Sequence, residues 1–156
     1  GNEFVEYGMG LRAVALGHAF PPVVEAVRRS LGIGTNFSRP HAMEVECAET
    51  LLAAVRFADM VKFTKDGSTA VTAAVKLARA ATGRDLVAIC RDHPFFSYDD
   101  WFIGTTRMDG GIPPVATSLT RTFPYDDLAA LRDLFESERG RVACVLLEAC
   151  KYEDPS

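Results

Sequence analysis

Two hydroxyl side chains follow a glycine where a helix-forming segment begins, and this arrangement suits an anion. Gly67, Ser68 and Thr69 precede an alanine-rich stretch, residues 69–82, that contains neither glycine nor proline. The backbone N–H groups at a helix N-terminus favour negative charge, and the two hydroxyls would add donors. A phosphate is the anion that such a site suits best. Taken alone, these residues leave open the interpretation that Ser68 or Thr69 simply caps the helix.

A cluster of aromatic residues is the second candidate for binding chemistry. Its members within residues 91–106 are Phe95, Phe96, Tyr98, Trp101 and Phe102. An aromatic ring can stack on a flat heterocycle and tolerates variation in that heterocycle. The alternative is that these rings form a loop or short helix packed into the core.

A carboxylate, Glu148, is the third candidate. It follows the wholly apolar run 142–147, which predicts a buried strand. Ligand sites in open parallel sheets lie at the carboxyl ends of the strands, where Glu148 would stand. Alternatively, this side chain merely leaves the core for solvent.

Helices and strands must position these groups. Residues 61–64 predict a short strand, residues 65–67 a turn, and residues 69–82 a helix capped by Gly83. The apolar run 86–90 then completes a βαβ unit with parallel pairing. The remaining predicted elements are a helix from Pro21 or Pro22 to Leu31 with Val23, Val24, Val27 and Leu31 facing inward, a helix within 41–57, a strand within 118–122, and a helix from 125–128 to about 138 capped by Asp126 or Asp127.

Two long stretches resemble one family. DGSTAVTAAVKLARAATGR, residues 66–84, is similar to the segment of class III pyridoxal-phosphate (PLP) aminotransferases that contains Ser-Gly-Thr-Glu-Ala and Ala-Arg-x-x-Thr-Gly-Arg. LGHAFPPVVEAVRRSL, residues 16–31, also resembles that family, especially its glutamate-1-semialdehyde 2,1-aminomutase branch. Asp66 and Thr69 depart from the usual residues, and Phe96 stands where a histidine is usual.

The resemblance implies the α/β fold of type I PLP-dependent transferases, here as a partial large domain with a mainly parallel sheet flanked by helices. It implies that residues 1–58 lead into the large domain and that residues 59–156 are the first part of that domain. The implied cofactor-binding residues are Gly67, Ser68, Thr69, Phe95 and Phe96, with Phe95 stacked on the PLP ring. Ser38 and Arg39 would lie near the substrate, unless residues 35–40 are a plain loop, and Glu148 would line the pocket.

The resemblance also implies what is missing. The lysine that binds PLP covalently and the acid that pairs with the pyridinium nitrogen occur later in the family than this sequence extends, so we predict no catalytic residue in this chain. Lys62, Lys65, Lys76 and Lys151 do not occupy the motif of that lysine. The complete protein would be a homodimer that moves an amino group between small-molecule donors and acceptors.

Composition excludes several other classes. The net charge is -4 and no basic stripe is present, so we expect no nucleic-acid partner. No apolar run reaches transmembrane length and no signal peptide is evident, which predicts a cytoplasmic protein without membrane contact. Cys47, Cys90, Cys144 and Cys150 lack metal-binding spacing, so we expect core thiols and no metal. His18 precedes a helix, and we interpret it as structural.

Two further functions compete with the enzyme interpretation. The first is a non-catalytic aminotransferase-like module for binding or assembly, which the departures at Asp66, Thr69 and Phe96 favour. The second is a nucleotide-binding α/β domain that uses residues 67–69, although the sequence lacks both GxGxxG and GxxxxGK[ST].

Overall fold

The computed structural model of the chain describes residues 1–91 and 95–148. Cys150 and Lys151, about which the sequence made predictions, lie outside the described residues. The chain divides into two compact units, Gly1–Val61 and Lys62–Ser156. Each is described by itself below.

The first unit contains two helices. Helix α1 spans Pro21–Leu31 and begins with proline, as predicted. Helix α2 spans Ala42–Ala54; its start is fixed by His41, whose Nδ1 accepts the N–H of Met43 at 3.2 Å while its own N–H donates to Glu44 at 3.0 Å.

The inward orientation predicted for the apolar stripe of α1 is wrong for this chain. Val23, Val27 and Leu31 are each more than half exposed, Val24 is only partly buried, and no residue of α1 is fully buried. An apolar helix face is buried only when another element packs against it. Helix α2 does not cover the stripe.

The second unit begins with the predicted alanine-rich helix. Helix α3 spans Gly67–Thr82 and ends at Gly83, whose φ of 66° is the left-handed conformation that glycine adopts without strain. Its cap is Asp66, whose carboxylate accepts the Thr69 N–H at 2.7 Å. The alternative that Ser68 or Thr69 caps the helix is therefore wrong, because both residues lie inside the first turn of α3, after its cap.

Three parallel strands form the sheet of this unit. Strand β1 spans Leu86–Cys90, β2 Thr120–Phe123 and β3 Val142–Leu146. The order is β2-β1-β3, with Val87 beside Thr120 on one side and beside Cys144 on the other. Strand β1 is central and wholly buried, as an apolar strand of a parallel sheet should be.

The strand predicted at residues 61–64 does not form. These residues are irregular, and the βαβ unit predicted from them is replaced by two others, β1 to β2 and β2 to β3. A strand requires a hydrogen-bonded neighbour, and none of the described strands pairs with this segment. Its two apolar residues are also interrupted by Lys62, so little hydrophobic burial would offset the cost of ordering it.

Three helices connect the strands. Two short ones, α4 at Asp100–Ile103 and α5 at Pro114–Thr117, lie between β1 and β2. Helix α6 at Leu128–Ser137 lies between β2 and β3 and is capped by Asp127, as predicted.

The core lies on both faces of β1, because successive side chains of a strand point to opposite faces. On one face Val87 and Ile89 pack with Val75 of α3 and with Trp101 and Phe102 of α4. On the other face the packing set is Ala88, Cys90, Phe123 and Val142, with Leu131 and Leu134 of α6. The helix that carries the hydroxyl turn is thus anchored to the central strand.

Candidate functional site

The N-terminus of α3 is open in the second unit. A side chain added at Gly67 would meet nothing within 4 Å, so the backbone there is accessible to a ligand. Ser68 and Thr69 are half-buried and lie in the first turn of a 16-residue helix. This donor set, two hydroxyls beside a helix N-terminus, fits a phosphate group.

Asp66 places a carboxylate at the same helix end. The Thr69 N–H that Asp66 accepts lowers the pKa of this carboxyl below its usual range, with smaller contributions from the Thr69 hydroxyl, Lys65 and the Ser68 N–H. Asp66 is therefore ionised at neutral pH. It stabilises the helix start and also opposes a second anion beside it.

The aromatic segment reaches this helix end. The Tyr98 hydroxyl lies 3.0 Å from the Thr69 hydroxyl oxygen, a hydrogen-bonding distance across 29 residues of sequence. The chain places the hydroxyl turn and the aromatic cluster, which sequence analysis singled out separately, at one location.

Phe95 and Phe96 have different environments. Phe95 is 58% exposed and meets the edge of Phe102 with ring centroids 5.6 Å apart. Phe96 is half-buried, belongs to the core on the α3 side and meets Phe102 at 5.8 Å. Of the two, Phe95 presents the larger free surface for stacking, whereas the core interpretation is correct for the buried rings of Trp101 and Phe102.

Thr72 is a residue of this region that sequence analysis did not assign to the site. Its hydroxyl contacts the side chains of Ser97, Asp99 and Trp101. The available signal was its spacing from Thr69, since residues three apart on a helix share a face.

The remaining predicted residues occupy several places. Glu148 is half-buried and follows β3 by two residues, so it lies beyond the same carboxyl edge of the sheet as Phe95, which follows β1. Ser38 and Arg39 are exposed in the loop between α1 and α2 of the first unit. His18 is exposed, with its Nε2 3.3 Å from Glu6, which agrees with a structural role.

The cysteines differ in exposure. Cys90 is buried as predicted, and Cys144 is partly buried, which raises the pKa of its thiol. Cys47 is exposed, so the prediction of core thiols is wrong there. Over residues 1–91 and 95–148, no group of three or more metal-ligating side chains occurs, and no helix is long and apolar enough to cross a membrane.

Comparison with known proteins finds relatives of one kind. No family model matches the sequence. Glutamate-1-semialdehyde 2,1-aminomutase from Methanothermobacter thermautotrophicus is 34% identical over 95% of this chain, and its counterpart from Myxococcus xanthus is 31% identical over 95%. The chain spans 37% and 36% of the lengths of these two proteins.

Solved structures that are similar to this chain include transaminases. An omega-transaminase from Sphaerobacter thermophilus superposes on 92% of the chain with a TM-score of 0.85 at 30% identity, and the chain covers 36% of it. A transaminase solved with PLP bound matches 87% of the chain with a TM-score of 0.78 at 30% identity, over 34% of its own length.

The parallel sheet, its flanking helices and the hydroxyl turn at the start of α3 define part of the PLP-dependent transaminase fold. Within that class, the chain is related to the class III aminotransferases of the glutamate-1-semialdehyde 2,1-aminomutase type, and it corresponds to a little over a third of such a protein. The family resemblance inferred from sequence is confirmed.

Proposed function

We propose that this chain supplies the phosphate turn and the stacking face of a PLP site in a class III aminotransferase or aminomutase, whose complete form transfers amino groups. The observation that carries the proposal is the 3.0 Å contact between the hydroxyls of Thr69 and Tyr98. It supports the assignment because it brings both parts of a site for a phosphorylated flat ring together.

Each residue has a distinct role in this proposal. Ser68 and Thr69 donate hydrogen bonds to the phosphate, Thr69 by turning its single hydroxyl hydrogen away from Asp66, and the helix N-terminus of α3 adds favourable electrostatics. Phe95 stacks on the ring, Phe96 packs in the core against Phe102, which Phe95 also contacts, and Glu148 lines the pocket. When bound, PLP supplies an electron sink for reactions at the carbon that bears the amino group.

Pyridoxamine phosphate tests the phosphate turn, because it lacks the aldehyde that would react with lysines. The chain should bind pyridoxamine phosphate more tightly than pyridoxamine. Replacing both Ser68 and Thr69 with Ala should remove most of this preference, since each hydrogen bond to a charged group contributes about 1.5–3 kcal/mol. Thr82→Ala, at the other end of the same helix, is the matched control.

Binding can be followed by equilibrium dialysis. An unchanged ratio of the two dissociation constants in the double variant would reject the role of the turn. Equal, unmeasurably weak binding of both compounds to the native chain would reject the proposal for this chain.

A second candidate function is supported by Asp66. Its ionised carboxylate occupies the Thr69 N–H and repels a neighbouring phosphate. This favours a non-catalytic aminotransferase-like module for binding or assembly. Failure of the chain to distinguish pyridoxamine phosphate from pyridoxamine would favour it over the enzyme.

Further proposals concern the complete protein. We propose a homodimer in the cytoplasm that acts on a small-molecule amino donor and acceptor, with Ser38 and Arg39 near the substrate. We also propose that residues 1–58 lead into the large domain and that residues 59–156 form part of it. The support for these proposals is the relation to aminomutases and transaminases.

A further inference from the structure

One hydroxyl joins α3 to the aromatic segment. The Thr72 Oγ1 lies 3.0 Å from the Ser97 Oγ and 3.1 Å from the Trp101 Nε1, and it also contacts the carboxylate of Asp99. Ser97 has no exposed surface, so its contacts are made away from solvent. A threonine in a helix can bond to the carbonyl four residues earlier, but this one has partners from another part of the chain.

The chemistry of the partners fixes the direction of each bond. The indole N–H only donates, so Trp101 donates to Thr72. Thr72 donates to a carboxylate oxygen of Asp99. The single Thr72 hydrogen is then used. The Ser97 hydrogen can go to the Thr72 oxygen at 3.0 Å or to the Asp99 carboxylate at 3.5 Å, and we assign it to Thr72, which is the shorter contact.

Ser97 completes the arrangement by accepting the N–H of Asp99 at 3.1 Å. The Thr72 oxygen therefore has one donated and two accepted hydrogen bonds, which is all that a hydroxyl can make. A saturated group of this kind holds the backbone of its partners in one position, because any shift leaves a polar group unpaired where water has poor access.

The held residues are neighbours of the proposed site. Tyr98, which reaches Thr69, stands between Ser97 and Asp99, and Phe95 is two residues before Ser97. We infer that Thr72 is a positioning residue, whose hydroxyl fixes residues 95–99 so that Phe95 and Tyr98 face the start of α3. The consequence for cofactor binding rests on the proposed function; the fixing of the segment does not.

Thr72→Val tests the inference, because valine keeps the shape and removes the hydroxyl. Hydrogen exchange, measured by mass spectrometry without any ligand, should quicken about tenfold at the amides of residues 95–99 and remain unchanged in β1. Thr72→Ser should restore slow exchange. Thr82→Val, on the same helix and far from the segment, should change neither region.

A second measurement examines the link to the site. The dissociation constant of pyridoxamine phosphate should rise several-fold in Thr72→Val and return in Thr72→Ser. Unchanged exchange at residues 95–99, or equal acceleration in β1, would overturn the positioning role. Faster local exchange with unchanged binding would overturn the link to the site.

The two proposals can fail separately. Faster exchange at residues 95–99 in a chain that does not bind pyridoxamine phosphate would reject the proposed function and support the positioning role of Thr72.

Discussion

Phe95→Ala and Phe96→Ala should have different effects on cofactor binding and on folding stability, because one ring is mostly exposed and the other is packed in the core. Phe95 is mostly exposed, and in the described residues its ring contact is with the edge of Phe102. Phe96 is half-buried in the core cluster that contains Trp101. Replacing Phe95 should therefore mainly weaken ligand binding, and replacing Phe96 should mainly weaken the fold.

The structure sets the magnitudes. Phe95 is 58% exposed, so less than half of the about 3–5 kcal/mol cost of removing a fully buried Phe applies, and about 1–2 kcal/mol is expected for Phe95→Ala, its edge-to-face contact with Phe102 included. Removal of a fully buried Phe costs about 3–5 kcal/mol, and Phe96 is more than half buried, so a loss of about 2–4.5 kcal/mol is expected for Phe96→Ala. A stacking contact of about 1–1.5 kcal/mol between Phe95 and the cofactor ring corresponds to a roughly tenfold weaker affinity in Phe95→Ala.

One set of samples measures both quantities. Urea unfolding followed by the fluorescence of Trp101, the only tryptophan, gives stability, and equilibrium dialysis with pyridoxamine phosphate gives affinity. Tenfold weaker binding in Phe96→Ala with native affinity in Phe95→Ala would refute the assignment. That result would mean that the stacking position is one residue further along the chain.

Three other predictions concern single features. Asp66→Asn should tighten pyridoxamine phosphate binding. The pKa of Asp66 is lower in the folded chain, so its carboxylate stabilises the fold above the unfolded pKa of about 4, and this stabilisation is lost as the pH falls through the folded pKa. The urea midpoint of Asp66→Asn should therefore fall less on acidification than the midpoint of the native chain. Parallel curves of urea midpoint against pH for the two proteins would contradict this. Iodoacetamide should label exposed Cys47 before Cys144, as peptide mass spectrometry would show; the reverse order would refute the burial argument. The chain alone should self-associate, as light scattering would show, since Phe57, Met60 and Leu77 are largely exposed; a monodisperse monomer would contradict this. The chain alone should also transfer no amino group from a donor to PLP, and stoichiometric formation of pyridoxamine phosphate would contradict that expectation.

Elements with strong local signals could be predicted from the sequence. Helix α3 has a continuous helix-forming composition and a glycine at its C-terminus, and β1 is a purely apolar run between polar residues. Both were recognised within two residues of their observed bounds. The signals act over a few neighbouring residues, so no knowledge of the fold is needed.

Two predictions that depend on a partner element failed. Residues 61–64 have strand-forming residues but no neighbouring strand among those described, and the α1 stripe is amphipathic but uncovered. The bond between Thr69 and Tyr98 joins residues 29 apart, and sequence spacing contains no information about such a contact. The family resemblance placed both segments in one cofactor site, whereas the residues alone indicated two unrelated features.

Asp66 affects the fold and the proposed cofactor site in different ways. Asp66 accepts a backbone N–H from the first helical turn, as the Ser of the resembled motif could also do, so the Asp found here serves as a cap and fixes the start of α3. It changes the charge, which determines how well the turn accepts a phosphate. Cofactor affinity in the proposed site then depends on whether the hydroxyls of Ser68 and Thr69 outweigh the carboxylate. The comparison of Asp66→Asn with the Ser68 and Thr69 double variant measures these two opposing contributions directly.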